Sequence, residues 1–145
     1  LERIRRNPAG ILTYRTGATG LENPLGNGSI ALEPAPNCTS APCTPVQLAA
    51  HDRWAWESLL DGAAVTAGGN SAVSIPGLRG CIGFTADAGK TNTGVVRVTL
   101  QWQGLRDTID AVPSGGAVCG GAAANTDRTR RQVIIDSYLI DETEI

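Results

Sequence analysis

The sequence predicts an α+β domain: the end of an N-terminal helix and a second helix, packed on an antiparallel sheet of about four strands. Three observations carry that expectation. Pro45 to Leu60 has helical periodicity behind a strong capping signal. Gly94 to Gln103 alternates apolar and polar residues with the period of a half-buried strand. The helical signals precede the strand signals instead of alternating with them, which favours α+β over α/β. A chain of 145 residues suits one domain, 1–145. Apolar residues make up 41%, enough for a folded core, but aromatics are only 4%, so that core is aliphatic. The 18 glycines and 8 prolines predict long connections between short elements.

Leu1 to Arg6 reads as the last turns of a helix, with Leu1 and Ile4 on one face and Arg5 and Arg6 in the final turn, where the macrodipole favours cations. The opening resembles the middle of a longer helix. Asn7-Pro8 ends it, because the residue before proline is pushed out of the α region. Pro8-Ala9-Gly10 is then a turn, and Ile11 to Tyr14 suggests a short strand. The rest of 10–43 reads as a long surface connection whose end is pinned near Cys38 and Cys43.

The helix over 45–60 has Thr44 as N-cap, Pro45 at the first helical position, Gln47 completing a capping box and Gly62 beyond its end. Leu48, Asp52, Ala55, Trp56 and Leu59 recur at helical spacing and predict the buried face. Trp54 and Trp56 cannot share a face, so one is expected half exposed. The sheet is expected over 72–140. Its strands are a short one at Ala72 to Ile75, then Gly80 to Thr85, Gly94 to Gln103 and Gln132 to Ile140, with a Gly- and Ala-rich excursion over 104–127. In the third, Val96, Val98, Leu100 and Trp102 face the core. Arg97, Thr99, Gln101 and Gln103 face water.

The formal net charge of −2 argues against a nucleic-acid ligand, because duplex binders concentrate basic charge on one face. The basic clusters Arg3, Arg5, Arg6 and Arg128, Arg130, Arg131 are interrupted by Glu2, Asp127 and Asp136 and read as solvated surface. His51, the single histidine, sits beside Asp52 on the helix and reads as a surface or packing residue. Asp61, Asp87, Asp107, Asp110, Asp127 and Asp136 show no paired spacing for acid–base work. No G-x-S-x-G elbow or P-loop is present. No catalytic residue, cofactor or metal site is therefore assigned. Asn27-Gly28-Ser29 and Asn37-Cys38-Thr39 match the glycosylation sequon and are read as chance. Cys38, Cys43, Cys81 and Cys119 contain no C-x-x-C, and their Gly- and Pro-rich surroundings suit structural disulfides in an oxidising compartment. Four cysteines allow three pairings. Trp102 is read as core. Trp54 and Trp56 are candidate partner contacts, since tryptophan is enriched at interface hot spots.

Several segments, in order, resemble the PilV-type minor pilins (type IV pilus modification protein PilV). They are Glu2-Arg3-Ile4-Arg5-Arg6-Asn7-Pro8-Ala9-Gly10, then Cys38 through Ala50 with Asp52 and Trp56-Glu57-Ser58-Leu59-Leu60, then Val96 through Trp102, and Arg130-Arg131 before the closing strand. The resemblance implies a pilin-like fold, and a hydrophobic N-terminal helix upstream of Leu1 that holds the subunit in the bacterial inner membrane, head in the periplasm. It implies a non-catalytic subunit that helps prime type IV pilus assembly and then sits in the extracellular filament. Other minor pilins, the major pilin and a tip adhesin are the implied partners. The favoured pairings are Cys38–Cys43, near in sequence and flanking a proline turn, and Cys81–Cys119, tying a strand to the long excursion. Three alternatives stand beside it: a minor pseudopilin of type II secretion, a secreted disulfide-stabilised binding module using Trp54 or Trp56, and a secreted enzyme.

Overall fold

Three short helical turns open the chain in the computed structural model, which describes residues 1–26, 28–62, 66–67, 70–71, 75–107, 118–120 and 128–145. Helix α1 spans Glu2–Arg6, a 3-10 turn covers Pro8–Gly10, and α2 spans Ile11–Tyr14. The strand expected at Ile11 to Tyr14 is thus a helical turn. Pro8 presets a tight entry, and Ile11 and Tyr14, three apart, are both buried (0% and 2% exposed) as one helical face requires. Leu12 between them is exposed.

Helix α3 spans Pro45–Leu60. Thr44 accepts from the Gln47 amide and the Gln47 side chain accepts from the Thr44 amide, so the capping box closes. Gly62 follows with φ 72°, the left-handed conformation that ends helices cheaply. The buried face is only partly the expected one: Asp52 is buried and Trp56 packs against the core, but other positions differ. Ala49, His51, Asp52, Glu57 and Leu60 are buried, whereas Leu59 is exposed. The reason is that α3 packs against the segment after α2 as well as against the sheet, and that segment supplies partners for polar side chains. Glu57 accepts from the amides of Gly26 (3.0 Å) and Ser29 (2.9 Å). The Nε2 atom of His51 lies 3.3 Å from the Glu33 carboxylate.

Among the described residues, the main sheet has three antiparallel strands in the order β3–β4–β5: Arg79–Ala86, Gly94–Gln103 and Arg130–Leu139. A separate hairpin pairs β1 (Thr66–Ala67) with β2 (Asn70–Ser71). Of the strand expected at Ala72 to Ile75, residues 72–74 lie outside the described residues and Ile75 belongs to no strand. Ile140, expected in the last strand, falls after its end. One sheet face carries the row Ile82–Val98–Ile135 and, one step along, Phe84–Val96–Ser137. It meets the helices in a core of Ile4, Ile11, Tyr14, Ala49, Ile82, Val96 and Leu139, with Trp56 and Phe84 packed against it.

The opposite face is not uniformly wet. Thr99 (2% exposed) and Gln101 (6%) are buried, because the disulfide to Cys81 draws buried Val118 and Cys119 onto that side. Trp102 is only half-buried: its cross-strand neighbour is Arg131, and its row lies beyond the first residue of β3. Nor is 10–43 purely a surface connection. Thr16 and Leu25 are fully buried. The amide of Thr16 donates to Ile82 (3.0 Å), and Leu25 and Gly80 exchange backbone hydrogen bonds of 2.8 and 2.9 Å. The segment therefore covers the outer edge of β3. Gly20 makes the approach possible: its φ is +81°, and a Cβ there would lie 2.3 Å from the Gly83 Cα. Among the described residues, no helix is long and apolar enough to cross a membrane.

Candidate functional site

The helical layer does not cover the whole apolar face of the sheet. An open groove of about 430 Å³ remains between α1, α3 and the strands, within the size range of binding clefts. Its floor is Ile82, Val98, Leu100 and Ile135. Its walls are Leu1 and Ile4 from α1, and Ala55, Trp56 and Leu59 from α3. The local sequence explains each contribution. Period-two alternation puts Val98 and Leu100 on one face of β4. Positions 55, 56 and 59 share the α3 flank next to its buried face. Ile135 (46% exposed), Leu59 (59%) and Leu1 (37%) are unusually open for apolar side chains that converge on one cleft.

One end of the groove is polar and tightly organised. Asp52, 8% exposed, accepts from Tyr14 Oη at 2.5 Å and from Arg3 Nη1 at 2.7 Å. Burial, and then donation to the Asp52 carboxylate, push the Tyr14 phenol well above its ordinary range. Tyr14 therefore remains a hydrogen-bond donor at all physiological pH values. Arg53 also lines the groove and donates from Nη1 to the Thr13 carbonyl at 3.1 Å. Burial lowers its pKa, opposed by the charge of Glu57. Asp52 thus ties α1, α2 and α3 together at one carboxylate. This arrangement fixes the position of α1 and with it the groove wall.

The two tryptophans separate. Trp56 is half-buried in the groove wall, and its ring would meet a Cβ at Gly80 at 2.9 Å, so that glycine admits it to the sheet. Trp54 is half-buried outside the groove and tilts against His51, with ring centroids 5.5 Å apart. The structure joins Cys38 to Cys43 and Cys81 to Cys119, each with Cα atoms 5.6 Å apart. Neither bridge lines the groove. Among the described residues, no group of three or more His, Cys, Asp or Glu side chains could hold a metal ion. Of the aspartates considered from the sequence, Asp87 accepts from Tyr138, Asp136 forms a two-armed bond with Arg97 at 2.7 Å, and Asp61 caps α3. Asp110 and Asp127 lie outside the described residues.

Sequence reasoning did not anticipate the Tyr14–Asp52–Arg3 cluster or the groove it braces. The available signal was Asp52 itself, an acid in an otherwise apolar helical stripe, which calls for a buried donor. No protein family, curated protein or solved structure matches the chain.

Proposed function

We propose that this chain is the head of a type IV pilus minor pilin, a non-catalytic subunit that primes filament assembly and is then carried in the fibre. The observation that carries this reading is the groove: it begins at Leu1 and runs over sheet where Leu100 is half-buried and Ile135 exposed. A longer α1 arriving from upstream would bury Leu100 and Ile135 beneath its apolar side. Burial of apolar surface stabilises by about 25 cal/mol per Å², so a helix laid along this floor gains docking energy without any change in the head. The polar cluster on Asp52 sets the angle at which that helix leaves the head. Two disulfides among Gly- and Pro-rich loops suit a protein that works in the periplasm and outside the cell. The resemblance of residues 2–10, 38–60, 96–102 and 130–131 to the PilV-type minor pilins supplies the rest of the reading. It implies inner-membrane anchoring before assembly, with other minor pilins and the major pilin as neighbours and a tip adhesin above.

The test is made in the source bacterium. Deleting the gene is expected to reduce surface filaments, and mass spectrometry of sheared filaments is expected to find this chain at low stoichiometry. Unchanged filament numbers in the deletion strain, with the chain absent from sheared fibres, would contradict the proposal.

A further inference from the structure

The two edges of the main sheet are treated differently. The β3 edge is closed by the chain's own Thr16–Leu25 segment, through the bonds to Ile82 and Gly80. The β5 edge has no such cover among the described residues. Residues 118–120, the described tip of the excursion, are held elsewhere: Cys119 is tied to Cys81 on β3, and the Gly120 amide donates to Leu21 at 2.7 Å. Strand β5 runs for 10 residues in unbroken register with β4, from Leu139 opposite Gly94 to Arg130 opposite Gln103. It contains no proline, lysine or bulge, and its edge charges are confined to Arg130 and Arg131 at its start and Asp136 toward its end. Apolar side chains stand exposed on both of its faces: Val133 (44%) and Ile135 (46%) on one, Ile134 (48%) and Tyr138 (51%) on the other.

We infer that β5 pairs edge to edge with the β5 strand of a second copy of this chain, extending the sheet across a two-fold axis. An open edge offers outward amides and carbonyls for strand addition, and the flanking side chains decide which strand fits. Here they favour the strand itself. Basic residues Arg130 and Arg131 begin β5, and Asp136 lies toward its end. An antiparallel pair centred on Val133 sets Arg130 of each copy opposite Asp136 of the other, which also holds Arg97, with Val133 opposite Val133, Ile134 opposite Gln132 and Ile135 opposite Arg131 in between. A parallel pair would align like charges, which is unfavourable for directly opposed residues. The arrangement is isologous and closes at two copies.

The inference stands apart from the filament reading. Ile134 lies on the face of β5 away from the groove, so Ile134→Lys leaves that groove intact. Analytical ultracentrifugation of the purified protein, from micromolar to near-millimolar concentration, is expected to show a reversible dimer. Ile134→Lys, at an exposed position, is expected to weaken dimerisation about tenfold or more while circular dichroism stays unchanged. Val133→Cys is expected to give a covalent dimer on mild oxidation, and Thr85→Cys on the covered-edge strand is not. A monomer at every concentration, a dimer indifferent to Ile134→Lys, or capture of a different polypeptide strand in place of self-pairing would overturn it.

Discussion

Replacing Cys81 and Cys119 together with alanine should cost about twice the stability lost on replacing Cys38 and Cys43. A cross-link removes chain entropy from the unfolded state in proportion to the logarithm of the loop it closes. The first bridge spans a separation of 38 residues and the second only 5. These separations correspond to about 4 kcal/mol for Cys81–Cys119 and about 2 kcal/mol for Cys38–Cys43. Burial adds in the same direction. Cys81 and Cys119 are 0% and 2% exposed, so alanine there also leaves unfilled space under the excursion. Cys38 and Cys43 are only half-buried. Urea unfolding of the two double variants and the parent protein, without reductant and followed by tryptophan fluorescence and circular dichroism, measures both losses on one scale. Equal losses, or a larger one for Cys38/Cys43, would refute the loop-length argument and the role assigned to the Cys81–Cys119 bridge.

Three further outcomes follow from the same geometry. Tyr14→Phe leaves buried Asp52 without one of its two donors, and urea unfolding should show a loss of about 1.5–3 kcal/mol; a neutral result would mean that the cluster does not brace α1. Gly20→Ala needs an unfavourable φ and places a methyl group against β3 backbone, so its thermal midpoint should fall well below that of the exposed control Ala18→Gly. Glu22 accepts from the backbone and side chain of Thr19, which draws its pKa down from 4.5 to about 2. Because the folded value is the lower one, its contribution is present above pH 4.5 and is lost as pH falls toward 2. A carboxyl-carbon NMR titration should place the Glu22 midpoint near pH 2, and a midpoint near 4.5 would contradict the bonding described.

The parts of the fold legible in the sequence were those written in local chemistry. Thr44, Pro45, Gln47 and Gly62 delimit α3 by satisfying or ending its backbone bonds, whatever surrounds the helix. The alternation from Val95 to Gln103 is likewise visible one strand at a time. What sequence reasoning misread depends on a neighbour distant in the chain. His51 and Glu57 look like solvent-facing residues of α3 until the segment around Gly26–Glu33 folds over them. Thr99 and Gln101 look wet until the disulfide brings Cys119 across their face. Ile11 to Tyr14 is too short to show a period, so its four residues read as strand or helix equally well. The groove was illegible for the same reason, since it is an absence of cover over Leu100 and Ile135 that no single segment encodes. The four cysteines, by contrast, announced a cross-linked domain by composition alone, consistent with the two bridges.

The central claim is that the groove beside Leu1 receives a helix continuous with α1, and methyl NMR of the protein extended upstream of Leu1, in detergent micelles, tests it most directly. The claim predicts nuclear Overhauser contacts from the methyl groups of Leu100 and Ile135 to residues preceding Leu1, together with loss of their exposure to a soluble paramagnetic probe. Methyl groups that stay open to the probe, with no contact to upstream residues, would contradict it.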